Sequence, residues 1–168
     1  MKKILIIGAG RSATSLIHYL LEHAETHDWQ ITVADADLAL AKDKVEGYSR
    51  GTGVTFNALD EAERLPYLEA ADFVVSMLPA HLHIHVAKDC LRLEKDLATA
   101  SYVSAELKAL DDEVKAKGLI FLNEIGLDPG VDHMSAMQMI NGIREKGGKI
   151  SAFYSYTGGL VAPESDNN

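Results

Sequence analysis

The sequence predicts an α/β fold, a doubly wound parallel sheet with helices on both faces, on three observations. Strand-like and helix-like segments alternate six times along the chain, the order that successive right-handed crossovers produce. The first strand-like run, Lys3-Ile4-Leu5-Ile6-Ile7, is apolar without alternation, as a strand covered on both faces has to be. It ends in Gly8-Ala9-Gly10-Arg11-Ser12-Ala13, which fits G-x-G-x-x-G/A and opens directly onto a helical pattern. Together these specify the Rossmann arrangement, with strand order 3-2-1-4-5-6.

Each element follows from its local pattern. From Ala13, the residues Leu16, Ile17, Leu20, Leu21 and Ala24 recur at helical spacing. Residues 31–34 form a second strand closed by Asp35, and Asp37 caps a helix over 38–48. Residues 54–58 read as the third strand, ending near Asp60. The fourth covers 73–77 and is closed by Leu78-Pro79, with a helix over 82–93. The fifth covers 96–99. Ser104 caps a helix that runs to Lys117 and stops at Gly118. Residues 119–123 are the sixth strand, and a helix follows over 132–146, stopped by Gly147-Gly148. Residues 149–157 alternate, with Ile150, Ala152 and Tyr154 opposed to Ser151, Phe153 and Ser155. The chain therefore divides into a dinucleotide-binding domain over 1–148 and the first strand of a second α+β domain over 149–168, cut short at Asn168.

Composition narrows the partners. Acidic residues number 25 against 16 Lys and Arg, a net charge of -9. Nucleic acid calls for clustered cations, and an acidic surface is repelled by anionic lipid. No nucleic acid and no membrane partner is expected. The apolar run 4–7 is too short to span a bilayer and no secretory segment is visible, so the expected location is cytoplasmic. The one cysteine, Cys90, excludes an intrachain disulfide, and its spacing with Val86 and Leu93 assigns it to the core.

Each position of the glycine loop has a role. Gly8 permits the tight turn off the strand, Gly10 lets a pyrophosphate approach the backbone, and Ala13 is small enough for the helix to pack on the sheet. The helix start at Arg11, Ser12 and Ala13 offers N–H groups to phosphate oxygens, and Arg11 adds a cation. Asp35 follows at the spacing of a ribose-binding carboxylate. A carboxylate there accepts from the ribose hydroxyls and repels a 2′-phosphate, so NAD is expected over NADP, with Asp37 as a substitute. Asp60 is expected to face the adenine. These residues leave open both a dehydrogenase and a nucleotide-sensing module without chemistry.

Three later segments fall at the carboxyl ends of strands, where such sheets bind ligands. They are residues 77–83, 99–104 and 123–133, rich in polar groups and constrained turns. Among them are Leu78-Pro79 with His83-x-x-Val86-Ala87, Thr99-Ala100-Ser101-Tyr102, and Glu124-x-Gly126-Leu127-Asp128-Pro129-Gly130-x-Asp132-His133-Met134. The end reads Tyr156-Thr157-Gly158-Gly159-Leu160-Val161-Ala162-Pro163-Glu164. With the glycine loop, these motifs make the chain resemble the saccharopine dehydrogenase family, glutamate-forming type, over essentially its whole length. Thr157 and Val161 depart from the family's cysteine and proline.

The resemblance implies oxidation of a secondary amine joining lysine and glutamate skeletons. A nicotinamide takes hydride from the carbon beside nitrogen, and the imine is hydrolysed to glutamate and 2-aminoadipate 6-semialdehyde. It implies that Leu78 and Pro79 contribute to the cofactor site. Ser101, Tyr102 and Asp128 would meet substrate or nicotinamide, and His83 and Asp128 are the candidates for proton transfer. Asp132 reads as a helix cap, Glu124 as a partner of backbone N–H groups and His133 as a packed side chain. His81, His83 and His85 do not share one helix face, so no metal is expected. Of Arg11, Arg50, Arg64, Arg92 and Arg144, only Arg11 falls at the crevice, so most of the site that grips saccharopine's carboxylates is expected beyond Asn168. The resemblance also implies a homodimer at full length and little turnover by these residues alone. A family member acting on another secondary amine is the alternative.

Overall fold

In the computed structural model, residues 1–156 are described. Six parallel strands stand in the predicted order, β3-β2-β1-β4-β5-β6. They are β1 (Lys2–Ile7), β2 (Trp29–Asp35), β3 (Gly51–Thr55), β4 (Phe73–Ser76), β5 (Asp96–Thr99) and β6 (Phe121–Leu122). The helices are α1 (Thr14–His23), α2 (Leu38–Val45), α3 (Glu61–Ala70), α4 (His83–Arg92), α5 (Ala105–Lys108), α6 (Asp111–Ala116) and α7 (Val131–Glu145). Among the described residues no helix is long and apolar enough to cross a membrane.

The central strand explains its own sequence. In β1, Ile4–Ile7 pair with Ile31–Ala34 on one side and Phe73–Ser76 on the other. Successive side chains go to opposite faces. Leu5 and Ile7 join Leu68, Val74, Val86, Cys90 and Leu97, while Ile4 and Ile6 join Ile17, Leu21, Ile31 and Val33. Two cores, one per face, require an unbroken apolar run. Cys90 is fully buried, and loss of hydration pushes its thiol up to about 12. It is the inert core thiol its spacing predicted.

The caps at Asp37 and Ser104 hold. The Asp37 carboxylate accepts from Ala39 N at 2.8 Å, and Ser104 Oγ accepts from Leu107 N at 3.1 Å. The helix after Ser104 breaks after Lys108 and resumes as α6.

Four expectations need correction. First, the third strand lies three residues earlier than its apolar pattern suggested. A Cβ on Gly53 would sit 2.7 Å from Lys42 Cα, and one on Gly51 2.8 Å from Val45 Cβ. The strand carries glycines because α2 lies close upon it, and glycines hide a strand from apolar pattern reading. Second, α3 went unpredicted, although Asp60 and Glu63 form its start signal. Asp60 accepts from Ala62 N and Glu63 N, and Glu63 Oε2 reaches back to Asn57 N at 2.7 Å. Third, Asp132 lies inside the first turn of α7 and accepts from Gly130 N at 2.9 Å, so it braces the preceding turn rather than capping the helix. Fourth, residues 149–156 form no strand. An alternating strand needs a pairing neighbour, and Phe153 and Tyr154 are exposed. Thr157 and Val161 lie outside the described residues.

α3 is also tied to α4 by a buried ion pair. Arg64 Nε donates to Asp89 Oδ2 at 2.6 Å, and both residues are 5% exposed. Arg64 donates in addition to Ala58 O at 3.1 Å, and Arg92 donates to Asp89 Oδ1 at 2.7 Å. Residues Met1–Asp132 form one compact unit, and a second begins at His133, ahead of the expected boundary at 148.

Candidate functional site

The glycine loop is built from the end of β1. Gly8 has φ +106°, and a Cβ there would stand 2.8 Å from Met77 O. Only glycine fits that backbone and that approach. The following residues turn inward, with Ala9 and Ala13 fully buried. Gly10 begins a 3-10 turn over Arg11–Ala13 that runs into α1. A Cβ on Gly10 would meet nothing within 4 Å, so its glycine answers no need of the protein's own packing. It leaves room for something outside the protein. Arg11 and Ser12 are exposed. Beside the loop is a cavity of about 320 Å³ whose lining includes Gly8, Gly10, Asp35, Asn57, Leu78 and Pro79. This cradle fits a dinucleotide.

Asp35 lines the cavity, but its oxygens are engaged. Oδ2 accepts from Ala9 N at 2.7 Å and Oδ1 from Asp37 N at 3.0 Å. The carboxylate braces the glycine loop. Asp35→Ala strands the buried Ala9 N–H, a loss of about 1–3 kcal/mol. Both NAD and NADP should then bind more weakly and to a similar degree. Calorimetry showing NADP gained and NAD lost would return Asp35 to ribose selection. Asp60, expected at the adenine, is occupied as the cap of α3 and does not line the cavity. Phe56 and Asn57 line it instead, and neither carried a motif.

His83 is 1% exposed. Nδ1 lies 2.8 Å from Ser76 Oγ, and Nε2 lies 2.8 Å from Ser101 Oγ and 3.0 Å from Thr99 Oγ1. Desolvation first, and the charge of His81 second, hold its pKa below the ordinary 6.5. The ring does not line the cavity beside the glycine loop, and its nearest half-buried partner is the Ser101 hydroxyl, so its placement does not set the imidazole itself against a ligand there. His81 and His85 are exposed.

The 99–103 and 123–132 loops are stitched together at the carboxyl edge of the sheet. Glu124 N donates to Ser101 O at 3.1 Å, and Val103 N donates to Glu124 Oε1 at 3.0 Å. This is the backbone-partner role expected of Glu124. Its own backbone is left-handed, φ 62°, a conformation rare outside glycine and held by those two bonds. Tyr102 OH donates to Asp128 Oδ1 at 2.7 Å, and both side chains are exposed. The hydrogen bond to Asp128 raises the Tyr102 pKa above 10.0, with Asp132 and Glu124 adding to the effect. The phenol therefore stays a donor through neutral pH. His133, expected to be packed, is exposed.

Residues 4–122 match the family described as saccharopine dehydrogenase NADP binding domain, and residues 126–168 that of the saccharopine dehydrogenase C-terminal domain. The chain belongs to the saccharopine dehydrogenase family. Alpha-aminoadipic semialdehyde synthase of Arabidopsis thaliana is 40% identical over 98% of this chain and 17% of that protein. The NADP(+), L-glutamate-forming saccharopine dehydrogenase of Saccharomyces cerevisiae is 36% identical over 99% of this chain and 36% of its own length. A solved apo form of the L-Glu-forming enzyme from Saccharomyces cerevisiae superposes with a TM-score of 0.84 at 35% identity, covering all of this chain and 37% of that one. The chain thus spans about a third of the yeast relative and about a sixth of the plant one.

These comparisons overturn the preference for NAD. The matching family domain is NADP binding, and the yeast relative is NADP(+)-dependent by name. Asp35 stands at the position of a ribose-reading acid. Oδ2 accepts from Ala9 N of the glycine loop and Oδ1 from Asp37 N two residues on. Each oxygen keeps a further acceptor site, and an acid at this position does not by itself exclude a 2′-phosphate.

Proposed function

We propose that this chain carries the dinucleotide site and the proton-handling pair of an enzyme that oxidises saccharopine with NADP. The observation that carries the reading is the Tyr102–Asp128 pair at 2.7 Å, on the same edge of the sheet as the glycine loop. Gly8, Gly10, Arg11, Ser12 and Ala13 would hold the pyrophosphate. Leu78 and Pro79 would border the adenosine end. Met77 borders that cavity and also a second one of about 350 Å³, which Ser12, Thr99, Ala100 and Gly126 help to line. The nicotinamide end would meet the mouth of the second cavity at Ser12, Met77, Thr99 and Ala100, the rest being an apolar hollow lined by Ile4, Leu16, Leu20, Phe73 and Val75.

When bound, the dinucleotide supplies the hydride acceptor. The chain's own groups manage the protons. The Asp128 carboxylate takes the proton of the secondary amine, freeing the nitrogen lone pair as the adjacent C–H bond is lost. It releases that proton to solvent, takes one from the water that adds to the imine carbon and returns it to the nitrogen. The C–N bond then breaks as the carbonyl forms, and the hydroxyl proton ends on the departing amine. Tyr102, kept as a phenol, holds that carboxylate in place and shares its charge. One water is consumed, two electrons and one hydrogen pass to the dinucleotide, and one proton is released. Ser101 meets the substrate beside the pair. Residues following the sheet open a substrate-binding and dimerising domain, where most of the grip on saccharopine's carboxylates lies.

The test gives saccharopine and NADP to the natural gene product carrying residues 1–168. Reduced nicotinamide and released glutamate are expected to rise one for one. Turnover of another secondary amine, with saccharopine inert, would reassign the substrate. Dinucleotide binding with no turnover of any amine would leave a sensing module.

A further inference from the structure

We propose that His83 is a positioning residue, which turns the Ser101 hydroxyl outward as a hydrogen-bond donor to a carboxylate oxygen of the substrate. The proposal rests on the saccharopine reading above. It starts from an arrangement that reading does not use: three hydroxyls converging on one buried imidazole.

Ser76 and Thr99 end β4 and β5 and are register partners. Both are buried, at 0% and 1% exposure. After β4 the chain turns at Pro79 and returns as α4, whose first residue is His83. The ring thereby meets both strand ends and reaches Ser101 in the next loop. Ser101 is half-buried, and its backbone is fixed on two sides. Its N–H donates to Thr99 Oγ1 at 3.3 Å, and its carbonyl accepts from Glu124 N at 3.1 Å.

Counting hydrogens orients the group. Burial keeps the ring neutral, so it carries one N–H. With that hydrogen on Nε2, the ring donates to Ser101 Oγ and Thr99 Oγ1 lies close enough to share it. Ser76 then donates to Nδ1, and the Ser101 hydrogen points away from the ring toward the open edge. With the hydrogen on Nδ1, Ser76 loses its acceptor, since the ring is its one side-chain hydrogen-bond partner among the described residues. Ser101 and Thr99 would then compete for one lone pair on Nε2. With Nε2 assigned to its nearer partner, Ser101 at 2.8 Å against Thr99 at 3.0 Å, the second arrangement leaves the hydroxyl hydrogens of both Ser76 and Thr99 without the ring as acceptor. The first leaves only that of Thr99, and buried polar groups are paired as a rule. It leaves a fixed O–H donor one residue from Tyr102, where an anionic oxygen or a carboxamide oxygen could accept it. The substrate carboxylate is the stronger acceptor of the two.

The test compares His83→Asn, His83→Gln and Ser101→Ala in the natural gene product. A glutamine amide reaches the place of Nε2 and keeps the donor to Ser101, whereas an asparagine reaches only the place of Nδ1. Ser101→Ala and His83→Asn are each expected to raise the saccharopine KM on the order of tenfold or more, the size of one hydrogen bond to a charged group. The kcat and the NADP KM should stay within about twofold, and His83→Gln should restore most of the loss. Nitrogen-15 NMR of the wild-type chain should show Nε2 protonated and Nδ1 bare at neutral pH. A protonated Nδ1 or an imidazolium at neutral pH would overturn the proposal. So would an increase confined to the NADP KM, which would assign Ser101 to the carboxamide, or equal losses in the Gln and Asn variants. Absence of any saccharopine turnover by the wild type would instead defeat the functional reading, and the nitrogen-15 result is read without turnover.

Discussion

Asp128→Asn is expected to lower saccharopine turnover by about 10²–10⁴-fold, the range for loss of a general base. Asparagine keeps the size of the side chain and an acceptor for the Tyr102 hydroxyl, but takes up no proton. The site is exposed and the turn is held by backbone bonds, so folding and dinucleotide affinity should change little. A second readout comes from Tyr102. Its pKa is raised above 10.0 chiefly by the bond to Asp128, so in the variant the phenol should titrate closer to its ordinary value. Tyrosine absorbance followed against pH detects that change. Turnover within about fivefold of wild type would remove Asp128 from proton handling.

The second large effect concerns stability. Asp89→Asn leaves Arg64 buried without its counterion, and breaking one partner of a buried pair costs about 3–5 kcal/mol. Arg64 and Asp89 are 5% exposed and 2.6 Å apart, so little solvent is at hand to compensate. Urea denaturation should register that loss. A double variant, Arg64→Met with Asp89→Leu, should recover most of it, because neither charge remains to be solvated. A loss below about 1 kcal/mol for Asp89→Asn would class the pair with surface bridges.

How much of this was legible in the sequence depended on what each residue type can hide. The sheet order and the two-faced burial of β1 were readable because a short unbroken apolar run ending in a glycine turn fits little besides a central parallel strand. Cys90 was readable from helical spacing. β3 was misplaced because Gly51 and Gly53 answer to the closeness of α2, a tertiary fact with no apolar signature. α3 was missed although Asp60 and Glu63 spelled its start, and the same oversight sent Asp60 to the adenine. Acids were the hardest residues to read. Asp35, Asp60, Glu124 and Asp132 all accept from backbone N–H groups, and sequence alone does not say whether a carboxylate faces its own chain or a ligand. His83 posed the same difficulty. Its motif marked a place of consequence, but only the structure shows that its partners are Ser76, Thr99 and Ser101.

The glycine loop carries the central claim, and Gly10 isolates it. Its backbone, φ −62° and ψ 176°, suits any residue, and an added Cβ would meet nothing within 4 Å. Gly10→Ala should therefore fold and melt as the wild type does. A pyrophosphate drawn onto the loop would meet the new methyl group directly. Calorimetric titration of NADP into both proteins is the decisive measurement. Binding by the wild type, weakened at least about tenfold in Gly10→Ala with the melting temperature unchanged, is the result expected of a loop that cradles phosphate. Equal affinity in the two proteins would place the dinucleotide somewhere other than on this loop.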